Sequence, residues 1–550
     1  MQKRPRPLFL FKYLPLSFEA LTMRRPYLPT LFAILFIYSS VYAQKPGAAI
    51  DVQHYAFTLQ LNDENDIIKG KTDVSIKFLK QVSSFDLDLV QANKEGKGMT
   101  VSSVTEKKTP LNFEQKGDKL IIAVNGDQGS RHTYTITYSG IPSDGLIISK
   151  SKFGHRTFFG DNWPNRAHNW LPCVDDPADK ATVEFNVTAP GHYQVVANGT
   201  KQSETVLPSG LKQSRWKESA PLPTKVMVIG AADFAIDHTG DVKGIPVYTY
   251  VYPENKDVGF NSYAVAREIL AYYIDKVGPY AYEKLANVQS KTIFGGMENA
   301  SCIFYYENSV GAKDIEELMA HEIGHQWFGD AASEKSFAHL WLSEGFATYM
   351  TNLYLENKYG QEILKQRLTD DRKTALDFEK ERFHPIVDTA VTDNFMQLLN
   401  ANSYQKGGWV LHMLRRKLGD ELFWKGIRAY YDKYQNGNAN TEDLRAVMEK
   451  ESKVDLEQFF KQWLYTPGHL QISAKWKYDP YEKTVEIQIA QVQNELYDST
   501  VEFLIDNEIH PVEIKSRFTT VQFNVNNAVT NIVVDPNVNL YGVFDISQQK

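Results

Sequence analysis

From about Asp51 to Phe234 the chain alternates apolar and polar residues. The segments AFTLQL, KTDVSIKFL, SFDLDLV, KLIIAV, HTYTITY, ATVEFNVTA and YQVVANG put every second side chain on one face, the period of a half-buried strand. Clusters of Gly, Asn, Asp and Pro separate them, so the pattern predicts a large antiparallel β domain. Near Pro253 the period changes. FNSYAVAREILAYYIDKVG has helical spacing, YEKLANVQS returns to strand, and GGMENA leads into a further apolar strand. AKDIEELMAHEIGHQWFG resumes the 3.6 period, and helical patterns dominate to about Trp463. ANTEDLRAVMEKES opens on an N-cap signal, Asn440-Thr441 ahead of Glu442. TPGHLQI then breaks the helix. LQISAKWKY, TVEIQIAQV, VEFLIDN, HPVEIKS and TTVQFNV alternate again and predict a small β-sandwich. The reading is a multidomain α+β chain: an N-terminal β domain over 44–245, a mainly helical domain over 246–466, and a C-terminal β-sandwich over 467–550. A chain of 550 residues is too long for one core.

Composition changes this picture little. The chain is 43% apolar and 23% charged with a net charge of −7, ordinary for a globular protein. No long basic run appears, which argues against nucleic acid as a partner. The N-terminus does not read as fold. MRRPYLPTLFAILFIYSSVYAQ begins at Met23, a candidate start, with two arginines. An apolar run from Thr30 to Tyr38 follows, then Val41-Tyr42-Ala43. This is the layout of a signal peptide cleaved after Ala43, and it predicts export to a periplasmic or extracellular location. The less favoured alternative is an uncleaved N-terminal anchor. After cleavage no transmembrane segment is expected. Cys173 and Cys302 are the two cysteines; they make no disulfide framework and are expected to be free, buried thiols.

The chemistry concentrates in HEIGHQWFGD. His321 and His325 stand at i and i+4, so on a helix both imidazoles reach one ion. Glu322 lies beside them, within reach of a metal-activated water. Taken alone, the spacing also fits a surface helix with two solvated histidines. HLWLSEGFATYM narrows the choice. Glu344 follows His325 after eighteen residues and sits in an apolar, helix-like stretch, where a carboxylate is costly unless paired or bound to a cation. His321, His325 and Glu344 therefore make a three-ligand zinc site with an open position for water. Zinc would polarise a scissile carbonyl, and Glu322 would take the water's proton and hand it to the leaving amine.

Three motifs in this order, GGMEN (295–299), HEIGHQWFG (321–329) and WLSEGFATY (341–349), resemble peptidase family M1, the aminopeptidase N family of zinc metallopeptidases. The resemblance implies a thermolysin-like catalytic domain between the two β domains, one Zn2+ per chain, and peptides with a free N-terminus as substrates. In NSYQKGGWVLHML it implies Tyr404 as the tyrosine that stabilises the oxyanion, a role a neutral phenol donor suits. In Gly295, Gly296, Met297, Glu298 and Asn299 it implies the substrate-binding strand. Glu298 would hold the substrate's α-amine, the glycines would let a peptide backbone approach, and Met297 would line the first side-chain pocket.

The chain also departs from the family pattern. Many members hold the amine with a second acid or amide from the β domain. In FGDNWPNRAHNWLPCVDDP, Trp163 occupies that place, with Asp161 and Asn162 as possible substitutes. The common G-N-L-V-T reads GDAAS. The long helical C-terminal domain of large relatives is expected to be absent. Rival readings are a zinc endopeptidase or oligopeptidase and a non-catalytic peptide-binding protein on the same fold. Glu298 argues against the first, since an internal bond offers no ammonium. The complete set His321, Glu322, His325, Glu344 and Tyr404 argues against the second.

Overall fold

A computed structural model describes residues 48–549, and the segment read as a signal peptide lies outside them. The alternating N-terminal segments form an eight-stranded sheet. Its order is Thr200–Val206, Leu211–Pro223, Lys180–Pro190, Ile50–Gln60, Ile68–Phe78, Arg131–Ile141, Gly98–Glu106 and Thr109–Pro110. Alternation becomes burial: Val183, Phe185, Val187 and Ala189 are buried, and Glu184, Asn186 and Thr188 between them are half-buried. Phe57 lies opposite Phe185 in the neighbouring strand, with the rings stacked at 5.3 Å. One pair corrects the expectation of an antiparallel domain, because Ile50–Gln60 runs parallel to Lys180–Pro190. The chain travels through most of the domain between these strands, which gives a parallel pair its crossover. Two smaller sheets, of four and three strands, complete this block.

Five strands form the central sheet, in the order Ala235–Val242, Ile245–Val251, Leu285–Ser290, Cys302–Tyr306 and Gly296–Met297. Leu285–Ser290 has parallel neighbours on both sides and is buried at every position. Ala235–Val242 belongs here, although the sequence reading assigns it to the N-terminal block. A strand's period is the same in either sheet and cannot assign it. Gly296–Met297 is the short edge strand, antiparallel to Cys302–Tyr306.

The helices are α1 (Lys256–Tyr263), α2 (Ala266–Lys276), α3 (Ile315–His325), α4 (Trp341–Tyr359), α5 (Gln361–Glu381), α6 (Gly407–Leu418), α7 (Asp420–Tyr434), α8 (Thr441–Ser452) and α9 (Glu457–Phe460). In α3, Ile315, Met319, Ala320 and Ile323 make the buried stripe. α4 is buried on every side from Trp341 to Leu355, which makes it the central core helix. α8 opens on a capping box: the Asn440 side chain accepts from the Asp443 amide, and the Asp443 side chain accepts from the Asn440 amide, both at 2.9 Å. Before α6 the chain makes a single π-helical turn, Asn402–Lys406, closed by the Lys406 amide on the Ala401 carbonyl at 2.9 Å.

The C-terminal residues build a four-stranded sheet (Phe518–Asn524, Thr484–Gln491, Leu470–Asp479, Gly542–Gln548) and a three-stranded one (Glu508–Ile514, Ser499–Ile505, Val533–Val534). Cys173 and Cys302 are free and buried. Among the described residues no helix is long and apolar enough to cross a membrane.

Candidate active site

His321 and His325 lie one turn apart on α3, and α4 brings Glu344 against them. The two Nε2 atoms are 3.1 Å apart, and Glu344 Oε2 lies 3.4 Å from His321 Nε2 and 3.3 Å from His325 Nε2. Three donors held tetrahedrally about 2.0–2.1 Å from one ion stand about 3.3 Å apart, so the triangle fits zinc. Glu344 Oε2 is buried and has no hydrogen-bond donor among the described residues. The tautomer of His325 fits as well. Its Nδ1 lies 3.1 Å from the Phe328 carbonyl, which can only accept, so Nδ1 carries a proton and Nε2 is the nitrogen turned towards His321 and Glu344. Ser343 Oγ stands 3.0 Å from the same Nδ1. Gly329, at φ +119°, makes room for that hydroxyl, since a Cβ there would lie 2.2 Å from it.

Tyr404 reaches the same place through two glycines. A Cβ on Gly345 would lie 2.9 Å from Gly407 Cα and 3.1 Å from the Ser403 carbonyl oxygen. α4 and the π-helical turn therefore touch backbone to backbone, right beside Glu344. The Tyr404 ring then stacks over His321, with centroids 5.8 Å apart and planes 9° from parallel. Sequence reasoning missed this contact. Its signal was a glycine inside α4, Gly345, and another where the π-helical turn passes into α6, Gly407.

The edge strand closes the site. A Cβ on Gly296 would lie 2.3 Å from Glu322 Oε1, so this glycine first of all makes room for the Glu322 carboxylate. Gly295 meets only Leu318 Cδ1, at 3.8 Å. Gln326, directly after His325, clamps the turn beyond the strand: its Nε2 donates to the Glu298 carbonyl at 2.7 Å, and its Oε1 accepts from the Ser301 amide at 2.8 Å. Carboxylate oxygens of Glu298 and Glu322 and a ring nitrogen of His325 lie within 4.8 Å of one another. Glu298 is buried, and its Oε1 has no hydrogen-bond partner among the described residues. A cavity of about 270 Å³ joins these groups. It is lined by Gly295, Gly296, Met297, Glu298, His321, Glu322, His325, Glu344 and Tyr404, with Trp163, Phe294, Leu318 and Leu399 as apolar walls. Asn299 is not among them. It is fully buried behind the strand, a correction to its reading as a substrate contact.

Asp161 and Asn162 are corrected too. Asp161 is engaged by Arg166 at 2.9 Å and by the Ile293 amide at 3.0 Å. Asn162 accepts from Trp170 Nε1 at 2.9 Å and donates to the Met227 carbonyl at 2.6 Å. Neither lines the cavity. Trp163 does, packed edge-on against Phe294 and Phe337, each with centroids 6.0 Å away.

Burial and crowding set the protonation. Burial raises the Glu322 carboxyl well above the usual range; His325 opposes this, and Glu298 and Glu344 add to it. Burial alone would lower His325, but Glu344, Glu298 and Glu322 together push it up to about 10. Burial lowers His321. Burial would raise Glu344, yet His325 and His321 hold it well below the carboxylate range. Burial, then Glu344 and Glu298, push the Tyr404 phenol well up, so it keeps its proton and can donate. Three carboxylates around two imidazoles make a site that favours a bound cation.

This arrangement has counterparts among known proteins. Residues 51–226 match the Peptidase M1 N-terminal domain, and residues 262–463 match the Peptidase family M1 domain. Aminopeptidase M1-C of Oryza sativa subsp. japonica is 30% identical over 331 residues, covering 56% of this chain and 37% of the relative. Aminopeptidase 2 of Candida albicans is 26% identical over 444 residues, 76% of this chain and 47% of the relative. Glutamyl aminopeptidase of Homo sapiens is 27% identical over 324 residues, 56% of this chain and 34% of the relative. The matches thus span less than half the length of these curated relatives. Since one of the two matched domains covers the β-rich half and the other covers the helices that gather the histidines, Glu344 and Tyr404, the chain belongs to peptidase family M1.

Proposed function

We propose that this protein is an exported zinc-dependent aminopeptidase that removes the N-terminal residue from peptides. The observation that carries this reading is Glu298, a buried carboxylate with an unpartnered oxygen beside Glu322 and His325. His321, His325 and Glu344 would hold the zinc ion, which when bound supplies a Lewis acid for the scissile carbonyl and makes water more acidic.

The rest of the chemistry belongs to the chain. Glu298 binds the α-ammonium of the substrate by a charge-assisted hydrogen bond. In a peptide that nitrogen lies only about 2.5 Å from its own residue's carbonyl carbon. With Glu298 and Glu322 so close, the carbonyl beside Glu322 is then the first one, and the bond cut is the first peptide bond. The open side of Gly296–Met297 can pair with the peptide as an added strand. Glu322, made basic by its surroundings, accepts the proton of the attacking water and delivers it to the leaving amine. Tyr404 donates its phenol proton's hydrogen bond to the oxyanion. The walls formed by Trp163, Phe294, Met297, Leu318 and Leu399 favour an apolar N-terminal side chain. We read the two C-terminal sheets as a β-sandwich and residues 1–43 as the export signal; N-terminal sequencing of exported protein should begin at Gln44.

The test is a panel of aminoacyl chromogenic amides, free and N-acetylated, with and without a chelator. Free amines should be cleaved, blocked ones not, and chelation should stop the reaction. Equal cleavage of N-acetylated amides would refute the aminopeptidase reading.

A further inference from the structure

Away from the cavity, three polar side chains from three parts of the chain converge on one buried carboxylate. Glu379, near the end of α5, is 3% exposed along its side chain, and Lys406 is 1% exposed. Lys406 Nζ donates to Glu379 Oε1 at 2.6 Å and to the Gly468 carbonyl at 2.7 Å. The Tyr541 hydroxyl donates to the same Oε1 at 3.1 Å, and the Lys406 ammonium also stands 5.5 Å from the Tyr541 ring centre. His469 Nδ1 lies 2.6 Å from Glu379 Oε2. Gly468, His469 and Tyr541 flank the Leu470–Asp479 and Gly542–Gln548 strands, so this is where the C-terminal sheet meets the helices.

A buried ion pair adds little net stability over a well-packed apolar pair, but it fixes geometry tightly. What it fixes here is Lys406, the last residue of the π-helical turn that carries Tyr404 two positions earlier. The turn is thereby held at two adjacent points: at Gly407 by the backbone of α4, and at Lys406 by Glu379. A phenol that must meet an oxyanion needs placement within about half an ångström.

We propose that Glu379, braced by His469 and Tyr541 of the C-terminal sheet, is a positioning residue that fixes the Tyr404 turn through Lys406. The C-terminal sheet then takes part in catalysis by setting one donor's position. This inference rests on the reading of Tyr404 as the oxyanion donor.

The test is a double-mutant cycle on a cleavable free-amine aminoacyl amide, using Glu379→Gln, Tyr404→Phe and the pair, in the zinc-loaded enzyme. Metal content and melting curves accompany each variant. Glu379→Gln should lower kcat about tenfold or more, leave KM within about twofold and keep the metal. In the Tyr404→Phe background the same change should alter kcat by less than about twofold. An equal fall in both backgrounds, or no fall in either, would overturn the proposal. If Glu379→Gln fails to fold, Tyr541→Phe removes a single hydrogen bond to Glu379 and is read in the same cycle, with the same criteria. The two layers stay separable. Should Tyr404→Phe alone leave kcat at the wild-type level, the role of Tyr404 falls and this inference falls with it. Should Tyr404→Phe be impaired while Glu379→Gln is additive with it, only this inference falls.

Discussion

Gly296→Ala is the smallest change that tests the reaction geometry. The added Cβ would stand 2.3 Å from Glu322 Oε1, 2.4 Å from Cδ and 2.6 Å from Cγ, while ordinary contacts begin at 3.4 Å. The backbone strand is fixed by its pairing with Cys302–Tyr306, so the carboxylate must retreat, by roughly 1 Å. A displacement of that size costs on the order of 100-fold in rate, about 2.7 kcal/mol of barrier. That remains inside the 10²–10⁴-fold range typical of a general base. Strain from the crowded side chain should cost about 1–3 kcal/mol of stability, so the fold survives. The assay is kcat and KM on a free-amine aminoacyl amide, with a melting curve. Gly295→Ala is the control: its Cβ would meet only Leu318 Cδ1, at 3.8 Å, and kcat should stay within about twofold. If the glycines matter only because a peptide backbone passes close, both variants raise KM and spare kcat. A Gly296→Ala enzyme with wild-type kcat would refute the argument that this glycine exists to seat Glu322.

Three further outcomes follow from the site. Glu322→Gln keeps the shape of the side chain but removes the proton acceptor, so kcat should fall about 10²–10⁴-fold while metal content stays at the wild-type level; retained turnover removes Glu322 as the base. Glu298→Ala deletes a charged hydrogen bond worth about 1.5–3 kcal/mol, so KM for free amines should rise about tenfold or more, and a KM unchanged from wild type would end its role as the amine anchor. Chelation should lower the melting temperature as well as abolish activity, since an ion at about 100 times its Kd stabilises by about 2.7 kcal/mol; identical melting curves after verified metal removal would dissociate His321, His325 and Glu344 from metal binding.

The succession of strands, then helices gathered around a central sheet, then strands was legible where one period dominates a stretch: alternation, then 3.6, then alternation. The i, i+4 histidines and a lone acid in an apolar helix pointed to one another for a physical reason, namely the cost of burying Glu344 unpaired. What period cannot show is which sheet a strand joins, hence the surprise of Ala235–Val242 and of the parallel pair Ile50–Gln60 with Lys180–Pro190. Nor can it show what a glycine avoids. Gly296, Gly329, Gly345 and Gly407 look alike in the sequence, yet they make room for a carboxylate, a hydroxyl and, between the last two, each other's backbone. The Glu379–Lys406 pair was equally hidden, since its partners come from α5, the π-helical turn and the C-terminal sheet.

Trp163 shows how structure sharpens a question that sequence leaves open. An anchoring acid or amide was expected at its place, and the adjacent Asp161 and Asn162 looked able to replace it. Both are already committed, Asp161 to Arg166 and the Ile293 amide, Asn162 to Trp170 and the Met227 carbonyl. Pulling either into the cavity would strand a buried partner, at a cost of about 1–3 kcal/mol. Of the carboxylates lining the cavity, Glu344 is bound up with the two histidines and Glu322 lies against Gly296. That leaves Glu298, with its unpartnered Oε1, as the carboxylate that faces neither the histidine pair nor Gly296. The wall that would have supplied a second contact to the amine is instead an indole packed between Phe294 and Phe337. If the site binds a free α-amine as proposed, recognition would therefore concentrate on one residue, and the freed wall would reward apolar contact. On the proposed aminopeptidase reading the two effects would be coupled: the same exchange that would leave the amine to Glu298 would also bias the site towards peptides whose first side chain is apolar.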